Sequence, residues 1–101
     1  MELAKAFSKE AKKRYGNQIE EIILYGSVAR KEDGKDSDID LLVITKDRIP
    51  HFQRDISGMA FDSGFEIHEK LSAQVYSRSY IEKHRELAFF QSIMEEGMRI
   101  G

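Results

Sequence analysis

The chain contains no cysteine, so disulfides, thiolate metal sites and cysteine nucleophiles are all excluded. It has one proline, Pro50, which falls where one element gives way to another. No linker, low-complexity tract or internal repeat divides the sequence. No apolar run approaches the length of a membrane span, and the N-terminus is a Lys-rich amphipathic segment without the apolar centre of an export signal. A cytoplasmic address without a membrane partner is therefore expected. The formal charge of −2 gives no overall attraction to nucleic acid or anionic lipid. At 101 residues there is room for one small domain, with a core large enough to fold alone; a single domain over 1–101 is the expectation.

What is present is ordinary in bulk and uneven in detail. Hydrophobic residues make up 41% and charged ones 34%, as in most globular proteins. Residues 1–15 hold five basic and two acidic side chains, whereas 31–40 hold five acidic and two basic. Leu3, Phe7, Ala11 and Tyr15 recur every four residues, an amphipathic helix stopped by Gly16-Asn17. The run Ile22-Ile23-Leu24-Tyr25 within 19–25 suits a buried strand. Gly26-Ser27 then turns the chain, and 28–32 has room for one or two helical turns before Asp33-Gly34. Over 38–45 a second strand puts Asp38, Asp40, Leu42 and Ile44 on one face and Ile39, Leu41, Val43 and Thr45 on the other.

Pro50 fits the first turn of a helix running to about Ser63, with Phe52, Ile56, Met59 and Ala60 inward. Gly64 is a plausible stop for that helix. Residues 65–69 alternate as a short strand with Glu66 and His68 on one face, and 71–77 is a further extended piece. From about Tyr80 the pattern is helical through Leu87, Phe90 and Met94 to Gly97. This order predicts an α/β or α+β two-layer domain, a small mixed β-sheet packed against helices.

Chemistry concentrates in GSVARKEDGKDSDID, residues 26–40. Glycine lets backbone approach a phosphate without an intervening side chain. Ser27 offers a hydroxyl and an amide N–H at the positive end of a helix, an anion site. Asp38 and Asp40, two apart on a strand, project from one face, where they repel each other unless a cation lies between them. Mg²⁺ is the hard ion that binds both carboxylates and triphosphate oxygens, and nucleotidyl transfer needs this union of anion cradle and metal clamp.

Gly26-Ser27, ten residues, then Asp38-Ile39-Asp40 resembles the signature of the minimal nucleotidyltransferases of the DNA polymerase beta superfamily. Ala29-Arg30 and the Ser37 to Leu41 context are similar as well. Four specified letters at this spacing arise by chance at roughly 10⁻⁵ per start position, and the flanking apolar strands lower that further. The resemblance is tightest over 19–45, and the ending from Phe89-Phe90 to Glu96-Gly97 is similar to the closing helix of small members. It implies a nucleotidyltransferase (polymerase beta-like palm) fold, ATP as substrate, and Asp38 and Asp40 as ligands of Mg²⁺. It also implies that Gly26 and Ser27 hold triphosphate oxygens, with Arg30 matching the family's arginine.

The superfamily generally uses a third carboxylate on a later strand. Glu66 is the candidate catalytic and metal residue if 65–69 is that strand. If the strand is instead 71–77, it offers Ser72, Gln74 and Tyr76, and the third ligand is missing. His68, two residues from Glu66, reads as a hydrogen-bonded structural histidine before a proton shuttle, and His51 and His84 read as surface residues on helices. Lys5, Lys9, Lys12, Lys13 and Arg14 read as a solvated helix face, and Asp33 and Asp36 as loop formers. Phe89, Phe90, Ile93 and Met94 read as core, with part of the stripe available to a dimer or partner.

The function this points to is transfer of a nucleoside monophosphate from Mg-ATP to a hydroxyl. The chain has no length for a domain that grips an acceptor, so a partner must supply it. Small members of the resembling family are commonly antitoxins paired with a HEPN-type ribonuclease toxin, which makes a toxin tyrosine the specific acceptor expected. The alternative is a non-catalytic nucleotide-binding antitoxin or regulatory subunit acting by partner contact, and a homo-oligomer is compatible with either.

Overall fold

In the computed structural model, residues 2–26, 39–65 and 70–101 are described. The first helix, α1, covers Glu2–Tyr15. Its four-residue apolar repeat produces the expected buried face, with Ala4, Phe7 and Ala11 essentially without solvent contact. A 3-10 turn at Gly16–Gln18 leads into strand β1, Ile19–Tyr25. Strand β2 is Ile39–Thr45 and lies antiparallel to β1, with Tyr25 opposite Asp40 and Leu24 opposite Leu41. Helix α2, Phe52–Phe65, crosses back to β3, Leu71–Ser77, which pairs parallel with β2. Two short helices, α3 (Arg78–Lys83) and α4 (Ala88–Glu96), precede a two-residue strand, β4 (Met98–Arg99). The sheet order is β3-β2-β1-β4, so the two most apolar strands are the inner ones.

The alternation in β2 explains the layering. Ile39, Leu41 and Val43 join Ile22, Leu24, Leu71 and Ala73 against α1 and the Phe52, Ile56, Met59 and Ala60 face of α2. Leu42 and Ile44, on the opposite face, join Ile23 and are covered by Ile81 of α3 and Phe90 and Ile93 of α4. Helices thus lie on both faces, three layers where two were expected. A strand apolar on both sides leaves a second surface to be removed from water, at about 25 cal/mol per Å².

Three local expectations change. Gly64 does not stop α2, which runs through Phe65; Gly64 is helical and buried. Phe65 is therefore helical and opens no strand, while Glu66 and His68 lie outside the described residues. The C-terminal helix is two helices, separated where the His84 N–H closes α3 on the carbonyls of Tyr80 and Ile81. His84 is the C-cap of α3, and His51 precedes α2 with φ of 62°, so neither lies within a helix.

The outer edge of β3 is occupied by a side chain. Gln53, in the first turn of α2, donates to the Ala73 carbonyl at 2.8 Å and accepts from the Val75 N–H at 2.7 Å. Its amide pairs with the strand as a neighbouring peptide would, satisfying two edge groups. At the far edge, β1 is held by β4 and by backbone bonds between Ile22 and Ile100 and Gly101. Arg78 ties β1 to α3 through Glu20 at 3.0 Å and through Glu21.

Candidate functional site

The end of β1 and the start of β2 bring Gly26 and Asp40 together. Tyr25 and Asp40 are opposite one another in the register, and Gly26 follows with φ of +83°, a conformation that costs any L side chain energy. A Cβ on Gly26 would lie 2.7 Å from Asp40 Oδ2, closer than van der Waals contact permits. Glycine here does two things at once: it turns the chain and avoids the clash a Cβ would make with the carboxylate oxygen.

Asp40 is half-buried. Its neighbour on the other side is Ser72, the register partner on β3. Tyr25, Asp40 and Ser72 thus form a row across three strands on one face, because laterally paired residues point the same way. Tyr25 feels this row. Burial pushes its phenol pKa above the usual value, and the nearby Asp40 carboxylate and Tyr76 add to the rise. The phenol therefore stays protonated well into the alkaline range, a donor beside an anionic carboxylate.

The residues expected at the site divide by where they fall. Gly26 and Asp40 are brought together. Ser27, Arg30, Asp38 and Glu66 lie outside the described residues, as do Asp33, Asp36 and His68. The strand beside β2 is Leu71–Ser77, and on the Asp40 face it carries Ser72, Gln74 and Tyr76, so the position lateral to Asp40 holds a hydroxyl. Among the described residues no three His, Asp or Glu side chains are grouped as metal ligands. Asp40 and Ser72, paired across the strands, are hard oxygen donors of the kind Mg²⁺ accepts, and the donor chemistry of the residues present fits such an ion.

Two neighbours of the site were not legible as such. Tyr25 read as strand core, yet it stands beside Asp40. Phe89 read as core, yet it is 42% exposed with its ring centroid 5.8 Å from that of Tyr25. The signal available was the position of Tyr25 immediately before the Gly-Ser turn. A separate cavity of about 310 Å³ opens at the opposite end of the sheet, between Thr45, Ser77 and the start of α2. It contains none of the motif residues. Among the described residues no helix is long and apolar enough to cross a membrane.

Comparison with known proteins agrees with this architecture. No curated protein sequence matches the chain. Among solved structures it is similar to a toxin–antitoxin crystallised with AMP-PNP, with TM-score 0.67 and 15% identity over 96% of this chain and 72% of the other. It is similar to the toxin–antitoxin MntA-HepT, with TM-score 0.59 and 14% identity over 100% of this chain and 72% of that one. A third neighbour is a tri-AMPylated Shewanella oneidensis HEPN toxin in complex with MNT antitoxin, with TM-score 0.57 and 14% identity over 99% of this chain and 71% of that one. At these identities the likeness speaks for the fold. A model of the nucleotidyltransferase domain family matches residues 4–97, nearly the whole sequence, and the chain belongs to that family.

Proposed function

We propose that this chain binds Mg-ATP at the Asp40 end of the sheet and transfers AMP to a hydroxyl on a HEPN-type toxin partner. The observation that carries the reading is Gly26 pressed against Asp40 at the mouth of two neighbouring strands, with no room for a side chain between them. Gly26 and Ser27 would cradle triphosphate oxygens through backbone N–H groups and the Ser27 hydroxyl, with Arg30 adding charge. Asp38 and Asp40 would hold Mg²⁺, which supplies charge neutralisation of the triphosphate and of the attacking oxygen. The acceptor oxygen attacks the α-phosphorus, the bond to the β-phosphate oxygen breaks, and pyrophosphate leaves. The acceptor proton passes to a base, for which Glu66 is the candidate. A toxin tyrosine as acceptor, and a cytoplasmic site of action for a single-domain protein, complete the proposal; the toxin complexes among the structural neighbours support the choice of partner.

One observation favours the second reading, a nucleotide-binding antitoxin that acts by contact. Ser72, not a carboxylate, stands lateral to Asp40 on β3. The experiment that separates the two uses ATP labelled at the α-phosphate, incubated with this chain and the product of an adjacent toxin gene. Transfer of label that disappears in the Asp38→Ala/Asp40→Ala variant is the expected result. Neutralisation of the toxin without any label transferred, unchanged in that variant, would overturn the enzymatic reading.

A further inference from the structure

Phe89 is a partly exposed ring in contact with Tyr25 of the Asp40 row. It lies in the first turn of α4 and is 42% exposed, whereas the next residue, Phe90, is 2% exposed and lies in the core. The Phe89 ring is nevertheless held in place. Tyr25 meets it edge-on at 5.8 Å and 87°, Tyr76 at 6.4 Å and 63°, and Phe90 at 5.3 Å and 65°. Three ring contacts restrain its orientation while 42% of the residue remains exposed to water. A ring fixed in this way loses little freedom when something stacks on it, which is the condition for an efficient binding platform.

Its place in the fold says what that something is. Tyr25 joins Phe89 to the metal-and-phosphate end of the site, because Tyr25 is the register partner of Asp40. In a nucleotide the base is separated from the α-phosphate by one sugar ring, and here a single residue, Tyr25, is both the register partner of Asp40 and the ring in contact with Phe89. We infer that Phe89 is the stacking platform for the nucleobase of the bound triphosphate, and Tyr25 its buttress. This rests on the proposed function and goes beyond it by assigning base recognition to α4. A π-face accepts any base, so Phe89 favours a nucleotide over a bare polyphosphate and discriminates weakly between bases.

The test compares Mg-ATP with Mg-tripolyphosphate, which has the phosphates and no base, by calorimetric titration of the full chain. Phe89→Ala is expected to weaken ATP by about ten-fold, the loss of one stacking contact, and to change tripolyphosphate by less than about two-fold on the same principle. Phe89→Tyr keeps the ring and should retain ATP affinity; Phe89→Leu keeps apolar contact with Tyr25 and should behave as the alanine variant. Equal weakening of both ligands, or unchanged ATP affinity with reduced binding of a protein partner, overturns the inference while leaving the proposed function intact. A wild-type chain that binds neither ligand contradicts the proposed function itself, and this inference with it.

Discussion

Replacing Gly26 by alanine perturbs the candidate site by a calculable amount. At φ of +83° an L residue carries a strain of about 1–2 kcal/mol. The new Cβ would also stand 2.7 Å from Asp40 Oδ2, while the Cβ and Cγ of Asp40 remain at 3.6 Å, an ordinary contact. The carboxylate therefore has to turn away while its stem stays. Turning it misdirects a proposed metal ligand, so Gly26→Ala should reduce Mg-ATP affinity more than strain alone explains. The control is Gly16→Ala, where φ is also positive, +56°, and a Cβ meets nothing within 4 Å. Both variants should lose about 1–2 kcal/mol of stability, a fall of roughly 4–16 °C in Tm for a domain of this size. Only Gly26→Ala should lose nucleotide affinity, by about ten-fold or more, as expected when a charge-assisted contact is misplaced. Urea and thermal melts measure the first quantity and calorimetry the second. Equal affinities for the two variants would refute the assignment of Gly26 to the site.

Further outcomes follow from the same geometry. Gln53→Leu removes both bonds that close the β3 edge and should cost about 1–2 kcal/mol; the Val75 amide should exchange faster with solvent, and unchanged exchange would contradict the edge-closing role. The raised pKa of Tyr25 makes its neutral form a source of stability that is fully present below about pH 10, the ordinary tyrosine value, and lost as pH rises through the folded value. Wild type should therefore lose more stability than Tyr25→Phe between about pH 9 and 11, read from urea midpoints; parallel losses would refute the shift. Ser72→Asp adds a carboxylate lateral to Asp40 and should tighten Mn²⁺ binding by about ten-fold if the third ligand is missing. If Glu66 already completes the set, Glu66→Gln abolishes label transfer and Ser72→Asp gains nothing.

Much of this was readable in the sequence because local patterns and tertiary demands agree. The four-residue repeat of Leu3, Phe7, Ala11 and Tyr15 gives α1, and the inward face of α2 is the one its spacing marks out. The two-residue alternation of β2 names both faces of the sheet, although only the structure shows helices covering both. What failed did so for identifiable reasons. Gly64 reads as a helix stop, but a buried glycine is equally a place where a helix packs closely. β4 is two residues long, too short for any periodicity, and exists because the chain after Gly97 lies against β1. Phe89 and Phe90 look alike in sequence, yet the 100° turn between neighbouring helical residues puts one in the core and the other beside Tyr25. The motif names Gly26 and Asp40, which the fold brings into contact; Ser72 opposite Asp40 is a matter of strand register, which no single-sequence pattern specifies.

The most direct test of a metal–triphosphate site at the Asp40 end is paramagnetic broadening by Mn²⁺-ATP in an amide-resolved NMR spectrum. Asp40 and Thr45 are the width of β2 apart, about 17 Å at the usual rise per residue, so the two ends of the sheet are distinguishable. The account predicts that the amides of Gly26, Asp40 and Ser72 broaden first, while those of Lys46 and Ser77, beside the cavity at the other end, stay sharp. Broadening that begins at Lys46 and Ser77, or none at any stoichiometry of Mn²⁺-ATP, would contradict it.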